Sequence, residues 1–230
     1  KNSVLSQMPE VRYLVHQHNL GRSAIRNFLA SNASYNNLLF LDADGQLLND
    51  QFISNYSAYL NAKTLISGGR IYSAAKPSQK EFILHWKYGL SFESQTASTR
   101  NLKPVAYFHS NNFLVPKSLM KEFPFDESFV KYGYEDLAWA SHLQDQHWEI
   151  LHIDNPVIHV GLDSNVVFLQ KLDESMENLL NHLSEPWTEK ISLIKYFNIL
   201  RNARLLGVYQ WIFNLLKRSM TQNLLGENSN

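Results

Sequence analysis

The sequence predicts an α/β fold in which helices flank a mostly parallel sheet. Short apolar runs typical of strands alternate along the chain with segments of helical periodicity. The clearest strands are residues 38–41, 64–67 and 112–115. Strands that alternate with helices of about this length are typical of a parallel sheet with helical crossovers. The 230 residues suffice for one domain, or for one domain with an extension.

The first predicted element is a strand at residues 11–15, followed by a turn at residues 19–21. Ser23 is of a type that caps helix N-termini, and the apolar residues after it recur with helical spacing. After the strand at residues 38–41, Asn49 or Asp50 is expected to cap a second helix. A third strand, residues 64–67, ends at a glycine pair.

Residues 73–104 are polar and show poor periodicity around an aromatic, helix-like patch. A stretch of this length in a compact domain usually carries function, so we expect a long excursion over the site. The strand at residues 112–115 follows, and Gly133 precedes a helix. Two short extended pieces, residues 149–153 and 156–160, then lead to a long amphipathic helix.

Two carboxylates, Asp42 and Asp44, follow the strand at residues 38–41 directly. Side chains two residues apart in an extended segment point the same way, so both can face one divalent cation. Oxygen ligands suit Mg²⁺ or Mn²⁺. The alternative is a solvated turn held by hydrogen bonds from the aspartate side chains.

Two further features stand at the ends of predicted elements. Glu135 and Asp136 lie at a predicted helix start, and His159 ends a short strand. Acids in a first helical turn are often only partners of the helix dipole, and a single histidine after an apolar strand is more often structural. Ligands nevertheless collect at the carboxyl ends of strands in open α/β sheets, so the joint occurrence of these features indicates a site.

Composition excludes several classes of protein. There is no cysteine, which excludes disulfides and thiolate metal sites and fits a reducing, cytoplasmic compartment. The 21 basic residues balance the 21 acidic ones, which argues against a nucleic-acid partner. No apolar run approaches the roughly 18 residues of a transmembrane helix, and the first residues do not have a signal-peptide pattern.

The order of these motifs resembles that of family 2 glycosyltransferases, which have the GT-A fold. The resemblance spans about residues 11–161. The matching segments are residues 19–21 with Ala24 and 26–27, then 39–44, 110–113, 125–129, 132–136 and 158–159.

The resemblance implies a role for each matched residue. Asp42 and Asp44 match the Asp-x-Asp motif, whose second member binds the cation while the first contacts ribose or metal. Asp136 matches the catalytic base, and Glu135 beside it binds or supports the acceptor. His159 matches a histidine that completes the metal shell. Asn19, Gly21 and Arg26 match positions that contribute to nucleotide binding.

These roles imply an inverting, metal-dependent transfer of a sugar from a nucleotide-diphosphate sugar to a glycan or lipid-linked hydroxyl, as in polysaccharide biosynthesis. The expected cofactor is Mn²⁺ or Mg²⁺. The family's usual N-terminal motifs, Pro-x-Tyr-Asn and Asp-Asp-x-Ser, do not occur in the printed residues, so the GT-A domain is expected to be N-terminally incomplete. The alternatives are a truncated, non-catalytic sugar-binding or scaffold subunit and a nucleotidyltransferase.

We expect the catalytic domain to span residues 1–162 and a helical extension to span residues 163–230. Residues 190–218 carry six cations and no acid among mostly apolar residues. Such a segment packs on the domain or a second copy of the chain, or lies at the inner face of a membrane. Arg100 and Lys103, in the excursion, are expected to be available for a phosphate or an acidic sugar on the acceptor side.

Overall fold

Seven strands form two sheets in the part of the chain that the computed structural model describes, residues 4, 7–60, 63–212 and 214. The strands are β1 (Asn37–Leu41), β2 (Gly45–Gln46), β3 (Thr64–Ser67), β4 (Arg70–Ile71), β5 (Asn112–Pro116), β6 (Glu149–His152) and β7 (Val157–His159). The helices are α1 (Arg22–Asn32), α2 (Phe52–Ser57), α3 (Ile83–Tyr88), α4 (Ala97–Arg100), α5 (Lys117–Glu122), α6 (Glu135–Asp145), α7 (Asn165–Asn181) and α8 (Ser192–Asn202). A 3₁₀ turn at Lys80–Phe82 and a π-helical turn at Gly89–Glu93 flank α3.

The main sheet has the strand order β1-β5-β3-β6. Strands β1, β3 and β6 run in one direction, as a parallel sheet predicts, whereas β5 runs antiparallel to both of its neighbours. The physical reason is the path of the chain before β5. That path leaves the sheet at the carboxyl end of β3 and returns at the same end, so no helix carries it back across the sheet. The predicted excursion therefore stays at the end of the sheet where β1 and β3 finish.

Apolar side chains cover both faces of the main sheet. Successive residues of a strand point to opposite faces, so Leu65 and Ile66 of β3 belong to two different clusters. One cluster contains Phe113, Val115, Phe125, Trp139 and Leu143. The other contains Phe52, Tyr56, Leu114 and Val157. Each large buried side chain contributes about 1.5–3 kcal/mol, so these two clusters dominate the stability of the sheet.

A buried ion pair joins α1 to the start of α6. The Nη1 atom of Arg26 lies 3.2 Å from Oε1 of Glu135, and the two residues are 6% and 3% exposed. Arg22 lies 3.7 Å from the same oxygen, but its side chain is half exposed. Burial removes water from both charges, so the pair adds little net stability. Losing one partner, in contrast, leaves an uncompensated buried charge.

The turn between β3 and β4 is held by a buried asparagine. Asn112 is fully buried, and its Oδ1 accepts a 2.7 Å hydrogen bond from the Tyr56 hydroxyl. Its Nδ2 donates to the carbonyl oxygens of Gly69 and Asn155, each at 2.9 Å. Gly69 has a φ of +84°, which favours glycine, and a Cβ there would lie 2.5 Å from the Arg100 guanidinium. These contacts fix the direction in which β4 leaves the turn.

Arg100 has a structural role that the sequence analysis did not predict. The expectation that it faces an acceptor is wrong, because Arg100 is 3% exposed. Its guanidinium donates to the carbonyl oxygens of Gly68 and Ile153 at 3.1 and 2.7 Å and contacts Nδ1 of His152 at 3.0 Å. Such a network satisfies the buried cation with backbone acceptors and fixes the neighbouring turn.

Three predictions about the first half of the chain are wrong. Residues 11–15 form no strand, and Val15 is 77% exposed. A strand needs a hydrogen-bonded neighbour, and no strand of the two described sheets pairs with this segment. Ser23 lies inside α1, whose N-cap is Gly21, and the N-cap of α2 is Gln51. Asn49 nevertheless supports this start, since its Oδ1 accepts a hydrogen bond from the Gln51 N–H.

The chain divides into two compact units, Lys1–Asn181 and His182–Asn230. Helix α7 belongs to the first unit, although the sequence analysis placed it in the C-terminal extension. The second unit contains a 3₁₀ turn at Pro186–Lys190, α8 and helical residues 206–212. The rest of the predicted tail helix, residue 213 and residues 215–218, lies outside the described residues. Within the described part of the chain, no helix combines the length and apolar character needed to cross a membrane.

We predict that Asn112→Asp is strongly destabilising although it preserves side-chain shape. The carboxylate keeps an acceptor for Tyr56 but presents an oxygen instead of a donor to the carbonyl oxygens of Gly69 and Asn155, and of these two Gly69 keeps the Val157 N–H at 3.3 Å. An unsatisfied buried group costs about 1–3 kcal/mol, so the free energy of unfolding should fall by at least about 1–3 kcal/mol. Urea unfolding measures this, with Asn36→Asp, at an exposed position, as the matched control. Equal stabilities of the two variants would contradict the role of Asn112.

We also predict strong coupling between Arg26 and Glu135. Arg26→Met should lower the free energy of unfolding by about 3–5 kcal/mol, because Glu135 stays buried with weaker compensation. The double variant Arg26→Met with Glu135→Leu removes both charges and should recover most of that loss. Urea unfolding of the two single variants and the double variant gives the coupling energy. Additive losses would show that the two side chains act independently.

Candidate functional site

A cavity of about 350 Å³ opens at the carboxyl ends of β1 and β3 in the first unit. It is lined by nearly all of the sequence-predicted site residues. These are Arg26, Asp42, Asp44, Glu135, Asp136 and His159. A groove of about 460 Å³ between α1 and the end of β1 shares Arg26, Asp42 and Asp44 with this cavity.

Asn19 and Gly21 do not line either cavity. Gly21 is the N-cap of α1 and adopts a φ of +80°, which favours glycine. Asn19 accepts a 3.0 Å hydrogen bond at its Oδ1 from the Gly21 N–H. The two residues thus shape the turn that starts α1, which carries Arg22 and Arg26 into the site.

Asp44 and His159 are brought together by a short antiparallel ladder. Strand β2 pairs with β7 so that Gly45 stands opposite His159, and the Val160 N–H donates to the Asp44 carbonyl at 3.0 Å. His159 Nδ1 therefore lies 3.5 Å from Asp44 Oδ1. Rings of Tyr72 and His85 stand 5.2 and 5.5 Å from the His159 ring and fix its position.

Gly161 leaves open space beside the Asp44 carboxylate. A Cβ at this position would lie 2.7 Å from Asp44 Oδ2, so any other residue would fill the space that a ligand of Asp44 needs. A carboxylate and an imidazole this close can both bind one divalent cation, with substrate oxygens completing its shell. Across the described residues, no group of three acidic or imidazole side chains is arranged to hold a metal. Asp44 and His159 are thus two side chains that could hold a cation together, and no third acidic or imidazole side chain stands with them among the described residues.

Asp42 faces the two arginines of α1. Its backbone N–H donates to the Asn111 carbonyl at 2.9 Å, which fixes the turn after β1 to the start of β5. Burial raises the pKa of the Asp42 carboxyl, and the nearby Arg26 and Arg22 oppose that rise. Asp42 thus lines the groove beside α1, which Asp44 also lines.

Glu135 and Asp136 begin α6 but occupy different environments. Glu135 Oε1 pairs with Arg26, whereas Oε2 is buried and has no hydrogen-bond partner among the described residues. Burial raises the pKa of Glu135, and the adjacent Asp136 adds to the rise. An unsatisfied carboxylate oxygen on a cavity wall is a site where a ligand hydroxyl can bind.

Asp136 is held in its charged form. Its Oδ1 accepts a 2.8 Å hydrogen bond from the Leu137 N–H, and its Oδ2 lies 3.9 Å from Nδ1 of His109. Burial opposes ionisation, but His109 and then Arg26 outweigh it and lower the pKa of Asp136 to about 2. Asp136 is therefore a carboxylate at neutral pH and can accept a proton.

The sequence analysis missed several lining or supporting residues, and five of them matter most for the site. They are Arg70, Tyr72, His85, Glu93 and His109. Most of them lie in or beside the excursion, in segments without periodicity, and Arg70 lies in a two-residue strand. No sequence signal distinguishes these residues from solvated ones.

Arg70, Tyr72, His85 and Glu93 form a hydrogen-bonded network at the cavity wall. The Asp163 N–H donates to His85 Nδ1 at 2.9 Å, so the ring proton of His85 is on Nε2 and faces the Tyr72 hydroxyl. The Tyr72 hydroxyl donates to Glu93, which also pairs with Arg70 at 2.6 Å. Burial raises the pKa of Glu93, but Arg70 and His109 outweigh it and lower the pKa. This part of the cavity wall therefore presents the fixed, ionised carboxylate of Glu93.

The loop before α6 is anchored by α7. Asn178 of α7 donates from Nδ2 to the carbonyl oxygens of Lys131, Tyr132 and Gly133, at 2.9, 3.2 and 3.0 Å. The Tyr132 ring lies under the Arg22 guanidinium, 4.3 Å from the ring centroid. Helix α7 thus positions the segment that leads into Glu135 and Asp136.

Comparison with known proteins identifies the family of the chain. The model of glycosyl transferase family 2 matches residues 2–123, which include Asp42, Asp44 and the excursion. The match ends before α6 and does not reach Glu135, Asp136 or His159. No curated protein matches the chain. The family model covers more than half of the sequence, and the chain belongs to glycosyl transferase family 2.

Proposed function

We propose that this chain transfers a sugar from a nucleotide-diphosphate sugar to a hydroxyl of a glycan or lipid-linked acceptor, with inversion at the anomeric carbon. Family membership supports glycosyl transfer in general, from a nucleotide-sugar donor to a glycan. The observation that carries the finer proposal is a single cavity that presents two sets of groups. Asp44 and His159 stand on one side, and the Glu135–Asp136 pair stands on another.

The proposed base is Asp136. In a one-step displacement, the acceptor oxygen attacks the anomeric carbon as the bond to the diphosphate breaks. The acceptor proton passes to Asp136, and the nucleoside diphosphate leaves with the bonding electrons. The ionised state of Asp136 supports this role, because a base must be unprotonated before the reaction. A single displacement from the opposite face inverts the configuration.

Glu135 is proposed to bind the acceptor. Its Oε2 is buried at the cavity and has no hydrogen-bond partner within the described part of the chain, so an acceptor hydroxyl that donates to it satisfies that oxygen. Its Oε1 is committed to Arg26, which prevents the side chain from turning away. This arrangement supports a positioning role for Glu135 and leaves proton transfer to Asp136.

The donor is proposed to lie along the turn after β1. Asp44 and His159 would hold Mn²⁺ or Mg²⁺, and Asp42 and Arg26 would contact the nucleotide part in the adjoining groove. When bound, such a cation neutralises the charge that develops on the leaving diphosphate. Asn19 and Gly21 contribute by shaping the start of α1 on that side.

The catalytic domain is proposed to extend through α7, because Asn178 anchors the loop that leads into α6. The second unit is proposed to contact an acidic membrane surface on the cytoplasmic side, or a second copy of the chain. The support for this is the basic and largely apolar composition of residues 190–218. A membrane contact of that kind would place the site near a lipid-linked acceptor.

We predict that Asp136→Asn retains the fold and loses at least about 10²-fold in turnover, because side-chain shape is kept while the proton acceptor is lost. A panel of nucleotide-diphosphate sugars and glycan acceptors first identifies the pair that the unaltered protein uses. Release of nucleoside diphosphate then gives the rate of each variant with that pair. Asp173→Asn, an exposed position on α7, is the matched control. Near-normal turnover by Asp136→Asn would show that Asp136 is not the catalytic base. If the unaltered protein is inactive with every donor–acceptor pair, a non-catalytic subunit is favoured instead.

We predict that Asp44→Asn weakens Mn²⁺ binding by at least about tenfold, because one of two protein ligands loses its charge. Electron paramagnetic resonance measures free Mn²⁺ directly, with and without added UDP. His159→Ala should weaken binding to a similar degree, while Asp173→Asn should bind as the unaltered protein does. Unchanged affinity in both site variants would contradict the proposed metal ligands.

A further inference from the structure

The segment 109–111 connects the two halves of the cavity. Asn111 accepts the Asp42 N–H at its carbonyl, and Ser110 and Asn111 are buried, so the backbone here is fixed to the turn after β1. His109 precedes this fixed pair, is partly exposed and lines the cavity. Its ring therefore enters the site from a rigid support, at the end of the sheet where β1 finishes.

His109 faces the oxygen of Asp136 that no backbone group holds. The Leu137 N–H occupies Oδ1 of Asp136 at 2.8 Å, and His109 Nδ1 lies 3.9 Å from Oδ2. That distance is within ion-pair range and longer than a hydrogen bond, as is common for catalytic contacts without substrate. Arg26 is engaged 3.2 Å from Glu135, so it cannot orient Asp136 in the same way.

We propose that His109 is a positioning residue that makes Asp136, and not the adjacent Glu135, the proton acceptor of the reaction. The inference rests on the proposed function and adds a residue to it. Two neighbouring carboxylates on one cavity wall repel each other, so the environment decides which one stays ionised. His109 makes the environments of the two carboxylates different, because His109 faces Asp136 whereas Arg26 faces Glu135.

The electrostatic surroundings agree with this division. Five other groups act on Asp136: Arg22 and Arg26 from α1, Arg70 from β4, Tyr132 from the loop before α6 and Glu135 from its own helix. Burial opposes ionisation of Asp136, and among the groups that favour it His109 acts most strongly, lowering the pKa to about 2. His109 also acts on Glu93. Groups whose environments separate their pKa values divide the acid and base roles between them.

The test measures the Asp136 carboxyl directly in the full chain labelled with [¹³C]aspartate. The Asp136 resonance is assigned by its absence in Asp136→Asn. His109→Phe removes the ring nitrogens, and His109→Asn keeps a donor without a titratable charge. Both should raise the pKa of Asp136 by about one unit or more, the effect of losing a nearby opposite charge. His18→Asn, at an exposed histidine, should leave it unchanged.

The kinetic readout separates positioning from simple loss of structure. In both His109 variants kcat should fall by about 10- to 100-fold, with KM for the donor unchanged and the acid limb of the pH profile shifted to higher pH. His109→Asn should retain more activity than His109→Phe. An unshifted Asp136 pKa, or a shifted pKa with an unchanged rate, overturns the role of His109. Activity retained by Asp136→Asn instead overturns the proposed base, whatever His109 does.

Discussion

The buried ion pair between Arg26 and Glu135 is the contact on which the rest of the site depends. It joins α1, which lines the groove next to the turn after β1, to the first residue of α6. Two charges removed from water gain little net free energy from each other, so the pair is poorly explained as a source of stability. Its consequence is geometric. With Oε1 of Glu135 held, Oε2 is left at the cavity, and Asp136 follows one residue later in a fixed direction.

The direction of β5 explains how distant parts of the sequence meet in this cavity. Because β5 starts where β3 ends, the chain between them must stay at one end of the sheet. That path contributes Arg70, His85, Glu93 and His109 to the cavity wall. The β2–β7 ladder brings His159, which lies much later in the sequence, beside Asp44. The strand pairings that shape the cavity are short. The buried side chains of Asn112 and Arg100 therefore help to hold the adjoining turn in place through their hydrogen bonds.

The sequence predicted the parts of the fold that have strong local patterns. Strands β1, β3 and β5 and helix α6 follow from apolar runs and turn residues, and the acidic pairs follow from their positions at element ends. The two-residue strands β2 and β4 have no periodicity to detect. Residues 11–15 have a strand-like pattern, but none of the described strands pairs with them. Arg100 and His109 show the remaining limit, since burial of a polar residue depends on long-range contacts that composition does not encode.

A crystal structure of the full chain with Mn²⁺ and a nucleoside diphosphate such as UDP tests the central claim most directly. Mn²⁺ is expected to be bound by Asp44 and His159, and the nucleoside is expected to lie in the groove beside α1. The terminal phosphate should then face Glu135 and Asp136 across the cavity. Mn²⁺ bound away from both Asp44 and His159, or a diphosphate outside this cavity, would contradict the account.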